Sequence, residues 1–146
     1  MKNEKVLVCI TIQENSIRLI DKAVQLTQQN NCELHIVHIE SGTSIFSNPQ
    51  AIALLEDLFT YGKEQGGQVH FICDEDIPVR IVDFIEEMGI TRVILGESMR
   101  SKIQQLLEKD IISYISNVSM AYDVLVLNRK NEQENHIHKL PNEFAY

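Results

Sequence analysis

A chain of 146 residues, 44% of them hydrophobic, is long enough to bury one sizeable core and short enough to form a single domain. Its 21 acidic residues outnumber 13 basic ones for a formal net charge of −8, which argues against the basic surface that nonspecific DNA or RNA binding needs. No apolar stretch approaches the ~20 residues that cross a bilayer, and the opening MKNEKVLVCI lacks the apolar region and cleavage site of a signal peptide. A cytoplasmic protein without membrane insertion is expected. Cys9, Cys32 and Cys73 make an odd count, and two of them sit inside apolar runs. That fits reduced thiols better than a disulfide frame. With no Trp and few aromatics, a stacking platform for single strands is not expected either.

The first apolar run, residues 6–12 (VLVCITI), predicts a strand. Ile17, Ile20, Val24 and Thr27 follow at helical spacing, and Asn30-Asn31 ends that helix. Residues 34–39 (LHIVHI) predict a second strand. The polar connection ESGTSIFSNPQ leads into a helix near Pro49, with Ile52, Leu55 and Phe59 on one face and Gly66-Gly67 as its stop. Residues 68–73 (QVHFIC) predict the third strand. Asp76 suits the cap of the next helix and Pro78 its first turn. Ile77, Ile81, Phe84, Ile85 and Met88 form the buried stripe of that helix, and Gly89 its C-terminal cap. Residues 92–96 (RVILG) predict the fourth strand. A fourth helix carries Ile103, Leu107, Ile111, Ile115 and Val118, and residues 124–127 (VLVL) predict the fifth strand. From Lys130 the chain turns polar (KNEQENHIHKLPNEFAY), which divides it into a domain at 1–129 and a mobile tail at 130–146.

Strands alternating with helices imply an α/β fold: a five-stranded parallel sheet with helices on both faces, joined by right-handed crossovers. Such folds bind ligands at the carboxyl ends of the strands, where strand order reverses. Order 3-2-1-4-5 would set the loop at 11–15 against the loop at 96–102. Order 2-1-3-4-5 would instead bring 74–78 to the first strand. Spacing leaves both open.

Two segments, VLVCITIQENSIRLIDKAVQLTQQNNCELHIVHIE and GITRVILGESMRSKIQQLLEKDIISYI with the later YDVLVLNR, resemble the universal stress protein family. They are most similar to the branch that serves as the cytoplasmic input domain of KdpD-type potassium-sensing histidine kinases. The resemblance implies the Rossmann-like fold with order 3-2-1-4-5, a homodimer through strand 5, and a sensor kinase or other signalling protein as partner. ATP-binding members carry G-x2-G-x9-G-(S/T) after the fourth strand. Here those places hold Gly96, Met99, Lys109 and Asp110, and the usual acid at the end of the first strand is Thr11. Met99 takes away a point where backbone N–H groups approach phosphate freely, and Asp110 puts a negative charge where a hydroxyl donor belongs. The ATP motif is therefore largely missing, while ATP or another nucleotide, or a different phosphorylated small molecule, remains the ligand class.

The candidate ligand-binding residues are Thr11, Ile12 and Asn15 on one side of the crevice. Gly96, Ser98, Arg100, Ser101 and Lys102 lie on the other. The second group fits an anion site at a helix start, with Arg100 as a planar fork. Cap preferences favour the plainer alternative, in which Ser98 or Ser101 caps the helix and both cations are solvated. Asn15 and Ser16 are expected to cap the first helix or else to touch a ligand.

His35 and His38 point to opposite faces of a strand and cannot share a metal, although His70 is able to approach one of them. Metal is not expected, and no nucleophile motif is visible. Cys9 should pack as a small apolar residue. Glu40 and Asp74–Asp76 lie near strand ends without an acid/base partner. These features together predict a noncatalytic signalling module. The alternatives are a weak nucleotide hydrolase at the same crevice, or a dimeric interaction domain with no small ligand.

Overall fold

The computed structural model describes residues 4–96, 122–127 and 133–139. In chain order the elements are β1 (Lys5–Cys9), α1 (Ile17–Asn30), β2 (Glu33–Glu40), α2 (Pro49–Glu64), β3 (Gln68–Cys73), α3 (Ile77–Met88), β4 (Arg92–Gly96), β5 (Tyr122–Leu127) and β6 (Gln133–Lys139). Five strands run parallel in the order β3-β2-β1-β4-β5, which settles the choice that spacing left open. The fourth helix lies outside the described residues.

Period-two alternation along β1 divides the core between the two faces. Val6, Val8 and Ile10 pack with Leu19, Ile20 and Ala23 of α1 and with Leu55 and Leu58 of α2. Leu7 and Cys9 face the other way, onto Ile81, Phe84 and Ile85 of α3. Residues buried on both sides explain why these strands read as unbroken apolar runs.

Helix ends follow ordinary chain chemistry. The Asn48 side chain accepts the Ala51 N–H at 3.1 Å to start α2. Asp76 accepts the Val79 N–H at 3.3 Å to start α3, and Pro78 sits in its first turn as expected. Asn31 (φ 53°) and Gly89 (φ 69°) close α1 and α3 in the left-handed conformation. The start of α1 differs from expectation, because Ser16 makes no side-chain cap and Asn15 is exposed. Ser16 is buried instead, and its Oγ donates to the Thr11 carbonyl at 2.6 Å. The Gln13 N–H donates to the same carbonyl at 2.9 Å. Those two bonds turn Thr11 into the loop, so β1 stops at Cys9 rather than at Ile12.

The polar tail also differs from expectation. Its residues Gln133–Lys139 form β6, which pairs antiparallel with β5 and makes the sheet six-stranded. The edge of β5 that the resemblance gives to a dimer partner is therefore occupied by the chain's own β6.

A chain of polar groups crosses the sheet between β2 and β3. The Glu33 carboxylate meets His35 Nε2 at 2.8 Å, and His35 Nδ1 meets His70 Nε2 at 3.0 Å. The two rings stack at 5.2 Å, with the Phe84 edge against both. If Glu33 accepts from His35 Nε2–H, the free Nδ1 accepts from His70 Nε2–H, and both contacts have a donor and an acceptor. Burial, and secondarily the neighbouring His35, lowers the His70 pKa below its ordinary 6.5.

Between the lowered value and ~6.5 the unfolded chain holds more protons than the folded one, so stability falls as pH drops through that window. His70→Gln should remove this part of the slope. Urea midpoints measured from pH 7.5 to 5 should show wild type losing more stability than the variant. Parallel curves would contradict the assignment.

Candidate functional site

A cavity of about 220 Å³ opens at the carboxyl ends of β1 and β2, beneath the start of α3. Ile10, Thr11, His38, Glu40, Ile77 and Ile81 contribute to its wall. The floor is apolar because β1 and β2 end in core residues. The rim is polar because the chain leaves the sheet there.

His38 organises that rim. Its Nδ1–H donates to the Ile10 carbonyl at 3.0 Å, tying β2 to the end of β1, and its Nε2 lies 2.8 Å from Glu40 Oε1. A carbonyl only accepts, so Nδ1 is the donor in that pair, and Nε2 is left to the carboxylate. The ring is buried and stacks on Phe71 at 6.0 Å, and Phe71 in turn meets the exposed Phe46 edge-on. Held in this way, Glu40 presents its remaining carboxylate lone pairs as acceptors for a ligand N–H or O–H.

Cys9 also lines the cavity, but burial pushes its thiol pKa up to about 12. It remains a neutral thiol at physiological pH and is not a nucleophile. Among the described residues, no three His, Cys, Asp or Glu side chains come together as a metal set.

Of the sequence-derived candidates, Thr11 lines the cavity. Ile12 is half-buried against the α1/α2 core, and Asn15 is exposed. Gly96 ends β4, and a Cβ there would lie 3.8 Å from Leu19 Cδ1 and 4.0 Å from Arg18 Nη2, in ordinary contact. Ser98, Arg100, Ser101 and Lys102 lie outside the described residues.

Sequence reasoning did not single out His38, Glu40 or Arg18 for this site. His38 and Glu40 did carry a signal, as polar residues at the carboxyl end of a strand adjoining the first. Arg18 carried none, since a cation in the first turn of an amphipathic helix is ordinarily solvated.

A parallel α/β sheet of this order, with core packed on both faces, defines a Rossmann-like domain. The chain belongs to the universal stress protein family, whose profile matches residues 2–127. It is 29% identical over 110 residues to the sensor protein KdpD of Mycobacterium tuberculosis, a match covering 74% of this chain and 12% of that protein. The chain thus spans about an eighth of that relative's length.

Among solved structures it resembles the universal stress protein from Archaeoglobus fulgidus in complex with dAMP (16% identity, TM-score 0.57, covering 72% of this chain and 92% of that one). It also resembles a universal stress protein in complex with cAMP (20% identity, TM-score 0.57, covering 88% and 99%). At these identities the likeness is one of fold. Among the described residues no helix is long and apolar enough to cross a membrane.

Proposed function

We propose that this chain is a noncatalytic signalling module of the cytoplasm that binds an adenine mononucleotide, with the base in the cavity between β1 and β2. The observation that carries this is the preformed cavity itself, apolar below and rimmed by Thr11 and the His38–Glu40 pair. At about 220 Å³ it is smaller than the roughly 300–1,000 Å³ of a pocket that takes a whole small molecule, so it suits one part of a nucleotide. The sugar and phosphate would extend across the end of β1 toward β4. Complexes of similar folds with dAMP and cAMP support the ligand class, and the similarity to a sensor protein supports a role in signal input. Occupation of the cavity would fix the loop after β1 and the start of α3, and so change the surface offered to a kinase or other signalling partner. The carboxylate at the rim is committed to His38 and the cavity thiol is neutral, which favours binding over bond chemistry.

Thermal unfolding with AMP, ADP, ATP and cyclic nucleotides tests this. A ligand at a hundred times its dissociation constant adds about 2.7 kcal/mol, a rise of about 5–10 °C in midpoint for a chain of this size. Ile77→Trp, which fills the cavity from its half-exposed rim, should abolish the rise while leaving the ligand-free midpoint close to wild type. A flat panel with folded wild-type protein would overturn the proposal.

A further inference from the structure

We infer that Arg18 is the residue that receives the phosphoryl group of the bound nucleotide, an assignment that rests on the cavity reading above. Arg18 is the second residue of α1, the helix that packs on β1, β2 and β4. Its guanidinium Nε and Nη1 are buried, and among the described residues neither has a hydrogen-bond partner. Arg80, by contrast, meets the exposed acid Glu87. Asp21, one turn further along α1, is hydrogen-bonded to the Tyr61 hydroxyl. Glu14, one turn before, is exposed.

A guanidinium with two buried nitrogens that find no acceptor among the described residues has surrendered part of its hydration without a replacement, and such a group is stabilised by an anion that reaches its remaining edge. Its planar fork matches two phosphate oxygens at once, which an ammonium group does not.

The position of this fork makes the ligand specific. Its Nη2 lies 4.0 Å from where a Cβ on Gly96 would stand, at the carboxyl end of β4. Parallel pairing of Val8 with Ile94, continued by two residues, sets Gly96 level with Ile10. Ile10 lines the cavity and its carbonyl holds His38. The cavity and the Arg18 guanidinium therefore lie near the same end of β1, where the strand order reverses. A base seated beside His38 would have its sugar over Ile10 and Thr11 and its phosphate on the α1 side. An arginine takes over the charge recognition that glycines give in the ATP-binding pattern.

Titration calorimetry with the paired ligands AMP and adenosine tests the assignment. Wild type should bind AMP more tightly than adenosine by about 10–100-fold, the range of charge-assisted hydrogen bonds. Arg18→Gln should reduce AMP affinity to that of adenosine and leave adenosine unchanged. Arg18→Lys should fall between them, since it keeps the charge and loses the fork. The ligand-free melting midpoint of Arg18→Gln should equal or exceed wild type, because a partly buried charge with no acceptor among the described residues has been removed. AMP binding that is undiminished in both variants would overturn the Arg18 assignment and leave the cavity proposal standing. A wild type that binds neither ligand would overturn both.

Discussion

Replacing Ile36 with alanine should destabilise the protein by about 2–5 kcal/mol, seen as a fall of about 5–20 °C in melting midpoint. Ile36 is fully buried in β2 and belongs to the core beneath α1 and α2. Its Cδ1 fills the space left by two glycines: a Cβ at Gly62 would stand 2.2 Å from it, and one at Gly67 2.9 Å. Gly62 lies within α2, where alanine is normally better by about 1 kcal/mol. Here that gain meets an overpacking penalty of about 1–3 kcal/mol, so Gly62→Ala should be neutral to destabilising. Ile36→Val removes the clashing methyl. The double variant should be more stable than the sum of the two single effects by about 1 kcal/mol or more. Strict additivity in denaturant melts would mean that α2 does not depend on glycine for its approach to β2.

Ending the chain at Asn128 should convert it into a self-associating species. Truncation removes β6 and bares the edge of β5, a parallel-sheet strand whose Leu125, Val126 and Leu127 are buried. An apolar edge with a row of unpaired N–H and C=O groups is a template for another strand. A second copy pairing through β5 is the simplest partner, so the homodimer expected from the family resemblance depends on β6 giving way. Sedimentation velocity across a concentration series should show the truncated chain heavier than the full one at each equal concentration. Identical distributions would show that β6 does not guard this edge.

The strands and helices were legible because each is written in a period of its own. β1 and β4 are short apolar runs, and α3 spaces Ile77, Ile81, Phe84 and Ile85 along one face. The stops were legible too, since Asn31 and Gly89 are residues that accept a positive φ cheaply. β6 was not, because QENHIHK has neither alternation nor an apolar run and is ordered by pairing on one side with β5. Ser16 read as a helix cap because a serine before a helix usually is one, but the Thr11 carbonyl captured it. The cavity escaped for a different reason. Thr11 and His38 are 27 residues apart in the chain and meet through the β1/β2 pairing. Sequence identifies both strands but not the register that sets His38 against Ile10. Arg18 is the clearest instance, since no local pattern records that two of its guanidinium nitrogens are buried without a partner among the described residues.

The location of bound AMP in a crystal of the full chain tests the central claim most directly. The account predicts the adenine between the ends of β1 and β2, beside Thr11, His38 and Glu40, with the phosphate on the guanidinium of Arg18. AMP bound elsewhere on the molecule, with this cavity empty, would contradict it.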